Sequence, residues 1–180
     1  ETESLLSGPG SAEEYISQLS GGVSNLEVTI SDEVWTSEFE ESYWGADSQS
    51  ERDVGNDGSG VDKLVEKSAL DLLSGVDLSQ WDINGDGVID RLLVLHSGNA
   101  QESGGPSDSI WSHFSNLMNP VNIGKWKIQH YTISSMESGL GTIVHEMLHQ
   151  MGAYDLYDFH SDLPSSTWNG LGDWDIMASG

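Results

Sequence analysis

The stretch from residue 139 to residue 158 limits the possible folds of this chain more than any other. It reads GLGTIVHEMLHQMGAYDLYD and contains the pattern HExxHxxGxxD. Two histidines four positions apart lie on the same face of a helix, so His145 and His149 can bind one metal ion from a single turn. Glu146 lies beside that face, where its carboxylate can polarise a zinc-bound water. The pattern therefore predicts a zinc site on a helix.

The third ligand must come from the segment that follows this helix. Gly152 can end the helix in a left-handed conformation, after which the chain turns back towards the histidines. Asp155 fits the ligand spacing best, and Asp158 competes with it because both follow the helix closely. The alternative is an amphipathic core helix with hydrogen-bonded surface histidines, since apolar residues are present for such a face: Ile143, Val144, Met147, Leu148 and Met151. An apolar face does not account for Glu146, Gly152 and Asp155, so we favour zinc.

A second metal-binding pattern lies in residues 82–90, which read DINGDGVID. Its oxygen-bearing positions are those of a calcium loop: Asp82, Asn84, Asp86, the carbonyl of Val88, and Asp90. Gly87 allows the sharp turn. The loop departs from an EF-hand because its twelfth position is Leu93 instead of Glu and a strand follows. The alternative is a Gly/Asp turn before a strand; we predict a structural Ca²⁺ that neutralises the clustered carboxylates.

Composition excludes several classes of function. The chain has 180 residues, enough for one domain, and no cysteine, so it has no cysteine nucleophile or cysteine-ligated zinc. Its 30 acidic residues against 6 basic ones would repel nucleic acid and anionic membranes. The sequence contains no run of 18 apolar residues, so no membrane span is predicted. The remaining explanations for the excess of acidic residues are a solvated surface, cation binding or adaptation to salt.

The elements predict one α/β domain in which helices pack against a mixed sheet. Residues 1–10 are rich in Gly, Ser and Pro and are expected to be loose, and residues 31–60 are expected to form an ordered loop. Besides the histidine helix, two helices are predicted: one that Ser11 caps and Gly21-Gly22 end, and one over residues 61–73. Three strands are predicted: residues 26–30, a central strand over 91–96, and 126–134.

The histidines outside the pattern do not have ligand spacing. His96 ends one predicted strand, His130 lies on another, His113 follows Trp111, and His160 falls in a loop, so we expect packed or hydrogen-bonded side chains. The chain also lacks GxSxG, which leaves a serine-hydrolase elbow unsupported. Because it starts with Glu1 and stops directly after a motif, we expect a fragment of a longer precursor.

Several segments together resemble one family. HEMLHQMGAYDLYD followed by WNGLGDWDIMASG resembles the immune inhibitor A-like metallopeptidases, which are secreted bacterial and archaeal zinc endopeptidases. WDINGDGVIDRLLVLHSG, SIWSH and SAEEYISQLSGG are similar to further segments of that family in the same order. The turn that contains Met177 resembles the Met-turn of the metzincin class, in which a methionine lies beneath the metal-binding histidines.

The resemblance implies a zincin, metzincin-like α+β fold: a twisted mixed sheet with an active-site helix and a backing helix, forming a single catalytic domain over residues 11–180. It implies zinc at His145, His149 and Asp155, Glu146 as the general base for a metal-activated water, calcium in residues 82–90, and protein or peptide substrates outside the cell. A binding or adhesion module derived from such a peptidase is the alternative, against which the intact Glu146 argues.

Overall fold

A computed structural model describes residues 2–56, 58, 60–158 and 170–178. Five α-helices lie in these ranges: α1 (Thr2–Leu6), α2 (Ala12–Leu19), α3 (Glu41–Trp44), α4 (Gly60–Leu73) and α5 (Gly139–Gln150). The strands in these ranges are β1 (Leu93–His96), β2 (His113–Ile123) and β3 (Trp126–Ser135). Three short 3-10 turns complete the described elements: Ser79–Trp81, Gln101–Ser103 and Gly172–Trp174. The prediction for His160 lies outside the described residues.

The strands form one mixed sheet in the order β1-β3-β2. Strand β1 is parallel to β3, with Leu93 opposite Thr132, and β2 is antiparallel to β3, with Phe114 opposite the same threonine. The prediction that residues 91–96 form a central strand is wrong, because β3 occupies that place in the described sheet. The apolar run of β1 has another cause: its side chains are covered on both faces, with Val94 on one cluster and Leu95 on the other.

Two apolar clusters lie on opposite faces of the sheet. One contains buried side chains of α4 together with β2 and β3, including Val65, Ile128 and Ile133. The other is centred on α5 and includes the fully buried Ile143 and Val144. The prediction of a mixed sheet with helices packed against it is therefore confirmed: α5 contacts β3 and β2 on one side, and α4 contacts β2 on the other. No helix of the described residues is long and apolar enough to cross a membrane.

Two predictions for the N-terminal part are wrong. Residues 2–6 are not loose but form α1, because Leu6 is buried in the α5 cluster, where only 3% of its surface is exposed. Residues 26–30 form no strand. They are irregular, Leu26 and Val28 pack against the same cluster, and the Val28 N–H donates to a Glu13 carboxylate oxygen instead of a neighbouring strand. The alternation of apolar residues reflects packing here and not a strand ladder.

Strand β2 was not anticipated by the sequence, because Asn116 and Pro120 are poor strand residues. The register of β2 on β3 is interrupted between Asn116 and Val121, and this irregularity places Pro120 where no ladder hydrogen bond is needed. Helix α2 was predicted correctly: it begins at the Ser11 cap, whose hydroxyl accepts from the Glu14 N–H. The short α3 lies within the predicted loop of residues 31–60.

A buried carboxylate joins the long acidic loop to the start of β2. Both Asp53 carboxylate oxygens lie 3.3 Å from the Trp111 N–H, which donates to them, and the Asp53 backbone has φ +56°. Burial raises the pKa of Asp53 to about 7, and the nearby Asp47 adds to this rise. This pKa is above the unfolded value of 3.8, so the folded protein binds the Asp53 proton more tightly than the unfolded chain does. The resulting contribution to the free energy of unfolding is complete below pH 3.8 and is lost as the pH rises through about 7.

We therefore predict that Asp53→Asn stabilises the protein at alkaline pH only. Asparagine retains a carbonyl oxygen for the Trp111 N–H and tolerates positive φ, so the expected gain at pH 8 is about 1–3 kcal/mol in the free energy of unfolding. The gain should vanish near pH 4, where Asp53 is protonated. Urea unfolding of both proteins at the two pH values measures it, and an equal effect at both values would contradict the prediction.

Candidate metal centre

Helix α5 presents His145 and His149 on one face and then ends as the sequence predicts. Gly152 adopts φ +97°, and its N–H donates to the His149 carbonyl, which closes the last turn. The Ala153 N–H bonds to the Leu148 carbonyl, so the chain reverses directly after the helix. This reversal brings residue 155 back to the histidines.

Three ligand atoms meet at this point. The Nε2 atoms of His145 and His149 are 3.1 Å apart, and Asp155 Oδ1 lies 3.2 Å from the first and 3.1 Å from the second. Among the described residues, this is the group of His, Asp and Glu side chains whose atoms gather closely enough for one ion. Asp158 does not belong to the group. Three zinc ligands at about 2.0–2.1 Å in tetrahedral directions are separated by about 3.3 Å, close to the observed spacing.

The outer ring nitrogens decide the protonation of the inner ones. His145 Nδ1 lies 2.6 Å from the Ile176 carbonyl and His149 Nδ1 lies 3.0 Å from the Ala153 carbonyl. A carbonyl oxygen only accepts, so Nδ1 carries the hydrogen of each neutral ring and Nε2 presents a lone pair. Asp155 Oδ1 is buried without a hydrogen-bond partner in the described part of the chain. Three acceptors thus face one another without a donor, an arrangement that fits a metal cation.

Glu146 lies beside the three ligand atoms. Its Oε1 is 4.0 Å from His145 Nε2, and the side chain is largely buried. Burial raises the pKa of Glu146 to about 8, and the negative charges of Asp155 and Glu102 add to the rise, while a hydrogen bond from the Phe114 N–H opposes it. A carboxylate with a raised pKa next to a metal site is suited to accept a proton from water.

The turn that contains Met177 contacts the site through the Ile176 carbonyl, which lies 2.6 Å from His145 Nδ1. Met177 is buried, its carbonyl accepts from the Leu156 N–H at 2.7 Å, and its own N–H donates to Asp175. The preceding carbonyl, that of Ile176, is the acceptor for His145. No sequence pattern indicated this carbonyl beyond its place next to Met177. That the turn acts as a Met-turn stays a prediction.

Two tyrosines follow the helix, and they differ in position. Tyr154 is 85% exposed. The Tyr157 ring stacks on His145, with 6.4 Å between ring centroids, and its hydroxyl hydrogen-bonds the Asp155 carboxylate. Burial raises the pKa of Tyr157 to about 12. Tyr157 therefore orients both a histidine and the carboxylate of the centre.

The other described histidines are packed, as predicted. His113 contacts the Trp111 carbonyl and the Tyr131 hydroxyl, and His130 contacts Gln150. His96 ends β1 with both ring nitrogens buried and unpartnered by hydrogen bonds in the described part of the chain. Burial lowers the pKa of His96 to about 4.

The side chains of the acidic loop, residues 82–90, hydrogen-bond to the backbone of the same loop. Its side-chain oxygens accept from loop N–H groups in four pairs: Asp82 from Gly87, Asn84 from Asp86, Asp86 from Val88, and Asp90 from Ile83. Asp82 Oδ1 is buried and unpartnered within the described residues. The carboxylates do not converge as closely as the three atoms at α5, so calcium in this loop stays a prediction.

A pair of substitutions tests the assignment of the third ligand. Asp155→Ala removes one of three converging acceptors, so zinc affinity should fall by about 100-fold or more, beyond the effect typical of an outer-shell partner. Asp158→Ala is the matched control and should leave the affinity within about threefold, within the context-dependence of such measurements. Competition with a chromogenic chelator measures both. A larger loss in the Asp158 variant would assign that residue as the ligand.

Comparison with known families agrees with this geometry. Residues 7–180 match the family described as immune inhibitor A peptidase M6, catalytic domain. The chain is 31% identical over 204 residues to immune inhibitor A of Bacillus thuringiensis subsp. alesti, an alignment that covers 93% of this chain and 28% of that protein.

It is also similar to the pre-pro-metalloprotease PrtV of Vibrio cholerae serotype O1 (strain M66-2), with 30% identity over 146 residues. That alignment covers 67% of this chain and 15% of PrtV. The chain thus spans less than a third of the length of either relative. With the match extending over nearly all its residues, the chain belongs to the immune inhibitor A family of M6 metallopeptidases.

Proposed function

We propose that this chain is the catalytic part of a secreted zinc endopeptidase that hydrolyses peptide bonds of protein substrates. The observation that carries the proposal is the convergence of His145 Nε2, His149 Nε2 and Asp155 Oδ1 within 3.2 Å, with the outer nitrogens committed to carbonyls. Three neutral-or-anionic protein ligands leave a fourth position open, which is the arrangement of catalytic zinc. Secretion is proposed from the family resemblance.

The residues of this chain would have separate roles in the reaction. Zinc, when bound by these three ligands, supplies a Lewis acid for the substrate carbonyl and the attacking water. Glu146 takes the proton of that water and delivers it to the amine that leaves. Its burial favours this role, because a carboxylate with a raised pKa is a stronger base than one in solvent. Tyr157 holds Asp155 in place through its hydroxyl.

A metal-stabilised binding module is the competing function, and Glu146 argues against it. Burying an ionisable carboxylate beside Asp155 carries a cost in free energy, as the raised pKa shows. A structural metal site needs no such group. A site for proton transfer needs one, and this difference favours the peptidase.

Replacing Glu146 with Gln tests the proposed general base. Glutamine has nearly the same shape but cannot take the proton, so kcat/KM on a casein-derived peptide should fall by about 10²–10⁴-fold. Zinc content, measured by mass spectrometry of the metal, should stay near one per chain.

The matched control is Glu137→Gln in the exposed turn just before α5, which should retain full activity. Activity of the Glu146 variant equal to that of the parent would exclude Glu146 as the base. Full proteolysis by the parent after complete zinc removal would exclude the metal mechanism altogether.

We also propose that residues 82–90 bind a structural Ca²⁺. The buried, unpartnered Asp82 Oδ1 supports this, as does the Val88 carbonyl, because the bridge to Lys127 uses the Gly87 carbonyl and the Ile89 N–H instead. Hard oxygen ligands of this kind suit Ca²⁺.

Calcium at about 5 mM, roughly 5- to 50-fold above the dissociation constants of about 10⁻⁴–10⁻³ M that are typical of weak sites, should then stabilise the parent by about 1–2 kcal/mol. Thermal unfolding with and without Ca²⁺ measures the effect. Asp82→Asn should abolish the calcium-dependent gain, whereas Asp32→Asn, an exposed aspartate outside the loop, should preserve it. An equal calcium response in both variants would contradict the proposal.

A further inference from the structure

Among the described residues of this strongly acidic protein, Arg52 has no ion-pair partner. The chain has 6 basic residues and 30 acidic ones, yet no carboxylate of the described residues lies within 4.0 Å of the exposed Arg52 side chain. Instead its guanidinium carbon lies 3.5 Å from the centroid of the Trp111 ring. A guanidinium stacked on an indole keeps its N–H groups at the ring edge free for another partner.

The backbone around Arg52 is held in place. The next residue, Asp53, accepts from the Trp111 N–H through its buried carboxylate, and its own N–H donates to Asp47 at 3.1 Å. Asp47 is in turn bonded by the Gln101 side chain at 2.9 Å. These bonds fix the loop on the segment that leads into β2, so the guanidinium is positioned before any ligand arrives.

The same segment leads to the metal centre. Three residues after Trp111, Phe114 lies opposite Thr132 in the sheet, and the Thr132 hydroxyl donates to the Glu146 carbonyl. The Tyr157 ring stacks on His145; burial raises the pKa of its hydroxyl, and the positive charge of Arg52 opposes that rise. The other charged groups of the described residues that act on this hydroxyl, Asp155 and Glu146, are acidic. Within the described part of the chain, Arg52 is therefore a cation whose charge reaches the centre.

We infer that Arg52 is a specificity determinant that binds a carboxylate of the peptide substrate beside the metal centre. The inference rests on the proposed peptidase function. A carboxylate matches the planar N–H fork of arginine, and the acidic surroundings repel it everywhere else near the centre. The carboxylate belongs to an Asp or Glu side chain or to the substrate's C-terminus. Peptides with blocked and with free C-termini distinguish these two sources.

The test uses the zinc-loaded chain and ten-residue peptides that differ at one position. Each position is occupied in turn by Glu, Gln or Lys in a peptide blocked at both ends, and a parallel set has a free C-terminal carboxylate. At one position the parent should cleave the Glu peptide with about fivefold higher kcat/KM than the Gln peptide, as for a charge-assisted contact at a partly exposed site. A preference that follows the free C-terminus would assign that source instead.

Variants separate binding by Arg52 from general damage. Arg52→Gln should remove the preference for Glu, and Arg52→Glu should reverse it in favour of Lys, a reversal that misfolding cannot produce. Arg91→Gln is the matched control, because Arg91 is the other arginine of the chain and acts on His130 instead of the centre. It should retain the parent preference. Raising the salt concentration should weaken the preference in the parent.

The outcomes distinguish this inference from the proposed function. Cleavage without any charge preference overturns the role of Arg52 and leaves the peptidase intact. If the parent cleaves no peptide, the peptidase proposal for this chain fails, and calorimetric binding of the same Glu, Gln and free-acid peptides decides the inference. Tighter binding of a carboxylate peptide that Arg52→Gln abolishes supports it; equal or absent binding overturns it.

Discussion

The convergence of three hydrogen-bond acceptors without a donor is the interaction on which the rest of the structure depends. His145 and His149 each commit one nitrogen to a backbone carbonyl, which leaves both inner nitrogens as acceptors facing Asp155. Without a cation, acceptor atoms that lie 3.1–3.2 Å apart would repel one another through their lone pairs, in a site that excludes most solvent. Each supporting element either fixes the direction of one acceptor or closes the site around it.

The fold supplies this arrangement from distant parts of the chain. Strand β3 supports α5 from one side, and α1 and α2 cover the helix from the other, so that the histidine face turns towards the segment of residues 153–157. The carbonyl of Ile176 then reaches His145 across 31 positions of sequence. The Phe114 N–H of β2 hydrogen-bonds Glu146, and Trp111, two residues before β2, contacts Arg52. The proposed metal binding, proton transfer and substrate contact would thus all depend on one sheet and one helix.

Local features of this fold could be predicted from sequence, and long-range ones could not. The helix pattern, the Ser11 cap and the Gly152 turn depend on neighbours a few residues away, and all three were predicted. Strand β2 was missed because its stability comes from pairing with β3 and not from strand propensity. Helix α1 and the irregular residues 26–30 were misassigned because packing against the α5 cluster decides their conformation. The Ile176 carbonyl and the place of Arg52 left no pattern in the sequence, since a backbone acceptor and a lone arginine have none.

The most direct test of the metal centre is X-ray absorption spectroscopy of the zinc-loaded chain at the zinc edge. The expected spectrum shows two imidazole nitrogens at about 2.0–2.1 Å, one carboxylate oxygen at a similar distance, and a fourth light ligand from solvent. Loss of one imidazole from the spectrum of His149→Ala would assign the nitrogen donor to that residue. A zinc shell with a single imidazole, or with only oxygen ligands, would contradict the arrangement of His145, His149 and Asp155 described above.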